Sequence, residues 1–239
     1  DVSFQHTVHL AIETTGRLGS IAVFAGQSAV HQVCLESNRR TAATLAPQLQ
    51  QVLDWCDRTG NQPVFQSIAD GPGSCTGLRI GVTTAKTFSY ALGLPLVSVD
   101  SLAAIAAAAL DRNASASAVC VAINAYRGQV FAGTFTRDSL LPPADAIPAD
   151  WTAHPETTRI MDKNEWASMR ESLADQTPFA GDDKPLGKHA ADRLDRGCDA
   201  VGVGLLGIRA ASLGAFADPL ALVPRYLRAS AAEEKLADS

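Results

Sequence analysis

Apolar residues alternate with polar or small ones in three short runs at the start of the chain. Val8, Leu10 and Ile12 share one face of a strand expected over 7–12, with the small Ala11 on the other. Thr14-Thr15-Gly16-Arg17-Leu18-Gly19 reads as a turn, and residues 20–24 as a second strand. Gly26-Gln27-Ser28 leads into a third at 29–35, which completes an antiparallel meander. The period then changes. Leu45, Leu49, Val52, Leu53 and Cys56 recur at i, i+4, i+7, i+8 and i+11, which predicts a helix over 42–58. A strand at 64–69, a glycine turn opening a helix over 71–92, a strand at 95–99 and an alanine-rich helix at 101–110 follow. The order is βββαβαβα.

Residues 111–118 (Asp-Arg-Asn-Ala-Ser-Ala-Ser-Ala) are small and polar and read as the lobe boundary. The expected lobes are therefore 1–110, joined by the C-terminal tail 219–239, and 111–218. In the second lobe, 119–124 and 129–135 alternate as a hairpin around Ala125-Tyr126-Arg127-Gly128. A helix is expected at 163–174, capped by Asp162 or Asn164, then a strand at 178–180, a helix at 185–194 and a longer one at 200–216. That last helix contains Gly202, Gly204, Gly207 and Gly214. The tail ends in Pro224-Arg225-Tyr226-Leu227-Arg228, with Tyr226 and Leu227 expected in the core and Arg225 and Arg228 at the rim.

Composition narrows the class. The 239 residues are 46% hydrophobic and 19% charged with a net charge of −5, an ordinary globular balance with ample core for two lobes. No apolar run approaches the roughly 18 residues needed to cross a bilayer, and residues 1–6 lack the basic region of a secretory signal. A cytoplasmic location away from membranes is the expectation. The five cysteines form no CxxC, as expected of reduced thiols. The first 110 residues are poor in charge, and no basic stripe exists to hold a phosphate backbone unaided.

The candidate chemistry centres on Asp70-Gly71-Pro72-Gly73-Ser74-Cys75-Thr76-Gly77-Leu78-Arg79-Ile80-Gly81. A strand that enters a helix through glycines exposes backbone N–H groups suited to an anion. The same glycines let another backbone approach closely. Both readings stand on the residues alone. Metallopeptidase chemistry is disfavoured, because His6, His9, His31, His154 and His189 form neither HxxxH nor HExxH. Cys75 has no local histidine to make it a nucleophile and reads as packing. The helix at 71–92 carries Gly77, Gly81 and Ala85 at i, i+4 and i+8, a smooth stripe for close helix packing. Two adjacent helices so short of charge suggest an interface, the alternative being that they pack only on their own sheet.

Three separated blocks resemble one family: Leu10-Ala11-Ile12-Glu13-Thr14-Thr15; Gly71 through Leu102, including Gly93-Leu94-Pro95 and Ser98-Val99-Asp100-Ser101-Leu102; and Pro224–Arg228 with Ser230 and Glu233. The chain is similar to the TsaB (YeaZ) family of tRNA threonylcarbamoyladenosine biosynthesis proteins, which older usage calls glycoprotease-like or peptidase M22-like. The resemblance implies an α/β, actin-like ATPase (ASKHA) fold of two ribonuclease-H-like lobes with mixed sheets flanked by helices. It implies a non-catalytic activator of the TsaD-type transferase, working with the TsaE-type ATPase. That assembly places threonylcarbamoyl on adenosine 37 of tRNAs reading codons that begin with A. It further implies a homodimer when alone, and tRNA contact only through the complex. Leu45, Leu49, Val52, Gly77, Arg79, Gly81, Val82, Thr83 and Lys86 are then expected at the partner interface. Glu13, Thr14, Thr15, Asp70, Gly71, Gly73 and Ser74 are the candidate nucleotide residues. No cofactor is intrinsic, and the one admitted is ATP or ADP with Mg at a shared interface. The rival is an independent ATPase or small-metabolite kinase of the same fold. The chain departs from the family pattern at Glu13 for the usual Asp, at Thr41-Ala42 for a His-Ser pair, and at Asn124 and Gln129 for carboxylates at the second-lobe hairpin.

Overall fold

A computed structural model describes residues 7–16, 18–35, 41–143, 145–173, 177–190, 193–195 and 197–228, with the side chains of 41, 42 and 190 left undescribed. Ser230 and Glu233 lie outside the described residues. The first sheet is built from β1 (Val8–Glu13), β2 (Ser20–Ala25), β3 (Ser28–Cys34), β4 (Phe65–Gly71) and β5 (Leu96–Asp100) in the order β3-β2-β1-β4-β5. The meander is antiparallel, and β4 and β5 are parallel to β1. The strand period sorts residues between the two faces. Leu10 and Ile12 join Leu45, Leu49, Val52 and Cys56 of α1 (Thr41–Thr59) on one side. Ala11, Ala22 and Phe24 face the other. Burying three such large side chains of α1 contributes about 1.5–3 kcal/mol each.

α2 (Cys75–Leu92) packs beside α1 on β4. Ser74 caps its start by accepting from Gly77 N, and Gly93 at φ 68° ends it. α3 (Ser101–Arg112) is buried along its whole length from Ser101 to Leu110. An alanine-rich helix that is apolar all round can be covered on both sides, and α3 lies between the two sheets. Asp100 caps it by accepting from Ala103 N.

The second sheet has β6 (Ala118–Tyr126), β7 (Gln129–Thr136), β8 (Arg159–Met161) and β9 (Phe179–Gly181) in the order β8-β7-β6-β9. The expected hairpin is present. β8 was not anticipated; three residues with two apolar members give too little period to detect. Around this sheet lie α4 (Arg137–Leu140), α5 (Lys163–Ser172) and α6 (Asp183–Leu186). Asp162 caps α5 in a capping box with Glu165. The helix expected at 185–194 is instead α6 and a 3-10 turn from Gly187 to Ala190, because Gly187 takes a positive φ of 57° and ends the first segment. α7 (Ala200–Ser212) stops short of 216, with Gly214 at φ 70°.

Two mixed sheets flanked by helices are present, as expected, and one helix sits apart from the element order. Although α7 follows the second lobe in sequence, it packs on α3 and on β1, β2, β4 and β5 of the first sheet. Its glycines explain how. A Cβ at Gly202 would overlap the Ala104 carbonyl oxygen, one at Gly204 the Phe24 ring, and one at Gly207 would come within 2.6 Å of Ser67 Cβ. His9 sits under this contact, stacked between Phe24 and Phe65 with centroids 4.8 and 4.5 Å away, and Nε2 lies 3.2 Å from Gly204 O. Burial pulls its pKa down from 6.5 to about 3.

Candidate functional site

The glycine turn and the β1–β2 turn meet at one end of the first sheet, so Glu13, Thr14, Thr15, Asp70, Gly71, Gly73 and Ser74 are brought together. What they form is packing. Thr14 Oγ1 donates to Gly77 O at 2.8 Å, and Ser74 N donates to Thr15 O at 3.0 Å. A Cβ on Gly77 would overlap the Thr14 carbonyl oxygen, one on Gly81 the Thr14 hydroxyl, and one on Gly73 would lie 2.7 Å from Thr15 Cβ. Gly71, at φ 135°, is covered on its other side by the Arg225 carbonyl. The glycines are used for close approach of the chain to itself.

Glu13 is fully buried at the end of β1. Its Oε1 accepts from Thr15 N, from Thr15 Oγ1 at 2.6 Å and from Gly16 N at 2.9 Å, while its buried Oε2 has no partner. Desolvation dominates those hydrogen bonds and raises its pKa from 4.5 to about 7, with Asp199 adding to the rise. The Cys198 thiol beside it is pushed well up by burial and by the Glu13 charge. Asp70 receives His154 Nε2 at 2.9 Å, and its carbonyl accepts from Arg225 N at 2.8 Å. Asp100, also fully buried, accepts from Ala103 N at 2.8 Å, from Thr158 Oγ1 at 3.0 Å and from the Arg225 guanidinium.

A nucleotide polyphosphate needs unspent N–H donors and cations. Here the Thr15 and Gly16 amides are spent on Glu13, the glycine clefts are filled by Thr14, Thr15 and Arg225, and the candidate side chains are two carboxylates (Glu13, Asp70) and three hydroxyls (Thr14, Thr15, Ser74), with no cation among them. The candidate residues do not fit a phosphate cradle within this chain. Among the described residues no group of three or more His, Cys, Asp or Glu side chains is placed to hold a metal ion.

The helices correct the expected interface. Leu45, Leu49 and Val52 are buried beneath the sheet, so they form the core of this chain and cannot line a partner surface. Gly77, Gly81 and Val82 also point inward. The α-helical period explains this, since the apolar stripe is the one that covers the sheet. Arg79 and Thr83 are exposed and Lys86 half-buried on the opposite face. The outer positions of α1, such as Ala46, Pro47, Gln50 and Gln51, are exposed and uncharged. The uncharged Gln50 and Gln51 are part of what makes this helix read as an interface from its sequence, although the residues expected at that interface belong to the apolar stripe instead.

The C-terminal tail crosses α2 on this outer side. Ala217 bridges to Leu96, Lys86 Nζ donates to Leu220 O and Leu222 O at 3.3 and 2.9 Å, and Arg79 Nε donates to Tyr226 OH at 2.9 Å. The expected inside and outside of the tail are partly reversed. Arg225 turns inward onto Asp100 and Gly71 O, and Tyr226 is 44% exposed. The buried Asp100 carboxylate, whose other partners are the uncharged Ala103 amide and Thr158 hydroxyl, gives the guanidinium a counter-charge there. Leu227 packs against the core as expected.

Comparison with known proteins agrees with this architecture. The family model described as "TsaD: tRNA N6-adenosine threonylcarbamoyltransferase" matches residues 35–173. A tRNA threonylcarbamoyladenosine biosynthesis protein TsaB from Bacillus subtilis is 28% identical over 96% of this chain and 98% of its own length. The TsaB protein of Escherichia coli is 29% identical over 54% of this chain and 55% of its own. The solved structure of YeaZ from Pseudomonas aeruginosa superposes with a TM-score of 0.67 at 21% identity, over 92% of this chain and all of that one. The chain therefore belongs to the TsaD-type threonylcarbamoyltransferase family, and stands within it among the TsaB (YeaZ) proteins.

Proposed function

We propose that this chain takes part in tRNA threonylcarbamoyladenosine formation as a non-catalytic subunit that docks on and activates a TsaD-type transferase. The observation that carries the reading is the closed glycine turn. Its clefts are filled by Thr14, Thr15 and the Arg225 carbonyl, and the facing Thr15 and Gly16 amides are spent on Glu13, which favours the surface over a phosphate cradle as the working part. Similarity to a TsaB protein along 96% of the chain supports the same pathway.

In this reading the exposed faces of α1 and α2 meet the transferase, with Arg79, Thr83 and Lys86 among the contacts. ATP or ADP with Mg is handled by the transferase and a TsaE-type ATPase. The tRNA, of the class reading codons that begin with A, is bound by the assembly, since this chain is acidic. Alone, the chain forms a homodimer. Among the described residues no helix is long and apolar enough to cross a membrane; a cytoplasmic site of action fits a tRNA substrate.

The test is product formation in vitro from the same organism's transferase, TsaE-type ATPase and tRNA, with and without this chain. Product that requires the chain supports the activator role. Equal product without it refutes the role, and turnover of Mg-ATP by the isolated chain would favour the kinase or ATPase reading instead.

A further inference from the structure

Glu13 lies on a seam. One side is the end of β1, the turn after it and the start of β2, which supply Glu13, Thr15, Gly16 and Ser20; the other is the segment 195–200 that leads into α7. Ala200 N donates across the seam to Ser20 Oγ at 2.8 Å. Glu13 Oε2 and the Cys198 carbonyl oxygen flank one point, 3.5 and 3.6 Å from a Cβ built on Gly16. The buried Cys198 thiol hydrogen-bonds Thr15, the residue whose amide and hydroxyl Glu13 holds.

The surroundings suit a neutral carboxyl and not an ionised one. The titratable groups facing Glu13 are Cys198 and Asp199 at the start of α7, with Asp195 beside them. β2 offers the Ser20 hydroxyl, and Asp70 at the end of the neighbouring β4 is engaged by His154. Among the described residues the cation of this cluster is Arg112, and it is divided between Asp195 and Asp199. A protonated Glu13 can carry a donor on Oε2. An ionised one leaves that buried oxygen with no donor and with carboxylates nearby. Water supplies the missing donors, so ionisation favours any form in which the seam is open.

We propose that Glu13 is a proton-operated latch: protonated, it keeps residues 195–199 closed against the β1–β2 turn over Cys198, and when it ionises the seam opens to water and uncovers the thiol. Residues 195–199 are the side that moves. The turn is tied to α2 by Thr14 Oγ1 donating to Gly77 O and Ser74 N donating to Thr15 O. In the facing segment, a Cβ on Gly197 would meet nothing within 4 Å, so there is room for it to shift. The direction of the pH response follows. Hydrated Glu13 ionises at the ordinary 4.5 and the enclosed group at about 7, so opening releases a proton between those values. The open fraction therefore rises with pH up to about 7 and levels above it, an increase of about tenfold from pH 6 to pH 8.

The experiment is alkylation of the full-length chain by N-ethylmaleimide at pH 6, 7 and 8, with the rate at each cysteine read by peptide mass spectrometry. Each rate is divided by that of the same cysteine in the urea-unfolded chain at the same pH, which removes the ionisation of the thiol itself. Cys120, buried in the second lobe, reports global unfolding. Cys198 should react at least tenfold faster than Cys120 at pH 8, and its normalised rate should rise about tenfold from pH 6 to pH 8. In Glu13→Gln that rate should stay within twofold across the range. Equal normalised rates at Cys198 and Cys120 would mean that only global unfolding uncovers the thiol, and the latch falls. A flat profile in the unaltered chain, or the same rise in Glu13→Gln, also overturns it. Hydrogen exchange at Ala200 N, bonded across the seam, gives a second reading that needs no variant. Its protection, corrected for intrinsic exchange, should fall over the same range, and constant protection refutes the opening.

Discussion

Replacing Glu13 by Gln should stabilise this protein at pH 8 and not at pH 5. Glu13 is fully buried, with Oε1 holding Thr15 and Gly16 and Oε2 unpartnered. Its folded pKa of about 7 lies above the ordinary 4.5, so between those values the folded chain holds a proton that the unfolded chain has released. Stability from this group is therefore complete below pH 4.5 and is lost as pH rises to 7. At about 1.36 kcal/mol per pH unit the loss reaches about 3 kcal/mol. His9 has the opposite slope. Its folded pKa of about 3 is below 6.5, so its neutral form is favoured in the fold and stability falls as pH drops from 6.5 toward 3. From pH 4.5 to 6.5 the two slopes oppose and largely cancel, which leaves a plateau in the unaltered chain. Gln keeps the acceptor for Thr15 and Gly16 and does not ionise. In the variant, stability should continue to rise from pH 4.5 to 6.5 and then stay level. Urea denaturation followed by far-UV circular dichroism at pH 5, 6, 7 and 8 measures this. The effect of Glu13→Gln should grow in the stabilising direction by about 2.5 kcal/mol from pH 5 to pH 8. An effect constant within about 0.5 kcal/mol across that range would refute a buried carboxyl that is neutral in the fold.

Three further outcomes follow from the packing. Gly77→Ala places a methyl on the Thr14 carbonyl, against backbone that cannot turn aside, and should cost about 3 kcal/mol, seen as a fall of about 6–12 °C in the melting temperature; an unchanged melting temperature would show that the turn is loose. Arg225→Met leaves the fully buried Asp100 without its cation and should cost about 3 kcal/mol at pH 7 in urea denaturation; a loss below about 1 kcal/mol would mean that the ion pair does little to hold the tail. Leu49→Glu, at a position with no exposure, should abolish cooperative unfolding by placing a charge in the α1 layer, and a folded Leu49→Glu variant would reopen the case for Leu49 as a surface residue.

Period alone made most of the first lobe legible, because each element there buries one face. β1, β2 and α1 follow their apolar spacing, and the Ser74 cap and Gly93 stop mark α2 where turn chemistry is strongest. The failures share a cause. α3 and α7 are apolar all round, so period could not say that they form the layer between the sheets, nor that Gly202, Gly204 and Gly207 mark where α7 closes on α3, Phe24 and Ser67. β8 and the broken helix after Pro185 were too short for any period to register.

The same limit decided the candidate site. An apolar stripe says that a face is covered and does not say by what. For α1 and α2 the cover is this chain's own sheet, which buries Leu45, Leu49 and Val52 and leaves only the residues behind them accessible. A glycine turn likewise says only that something comes close. Thr14, Thr15 and the Arg225 carbonyl supply it, from segments more than fifty residues away in one direction and about one hundred and fifty in the other. An anion and a backbone carbonyl make the same demand on a glycine, the absence of a Cβ, and differ in what they demand of the neighbouring N–H groups. The amides of Thr15 and Gly16, committed to Glu13, are what separate the two readings here, and that commitment is visible only once the β1–β2 turn is folded against α2.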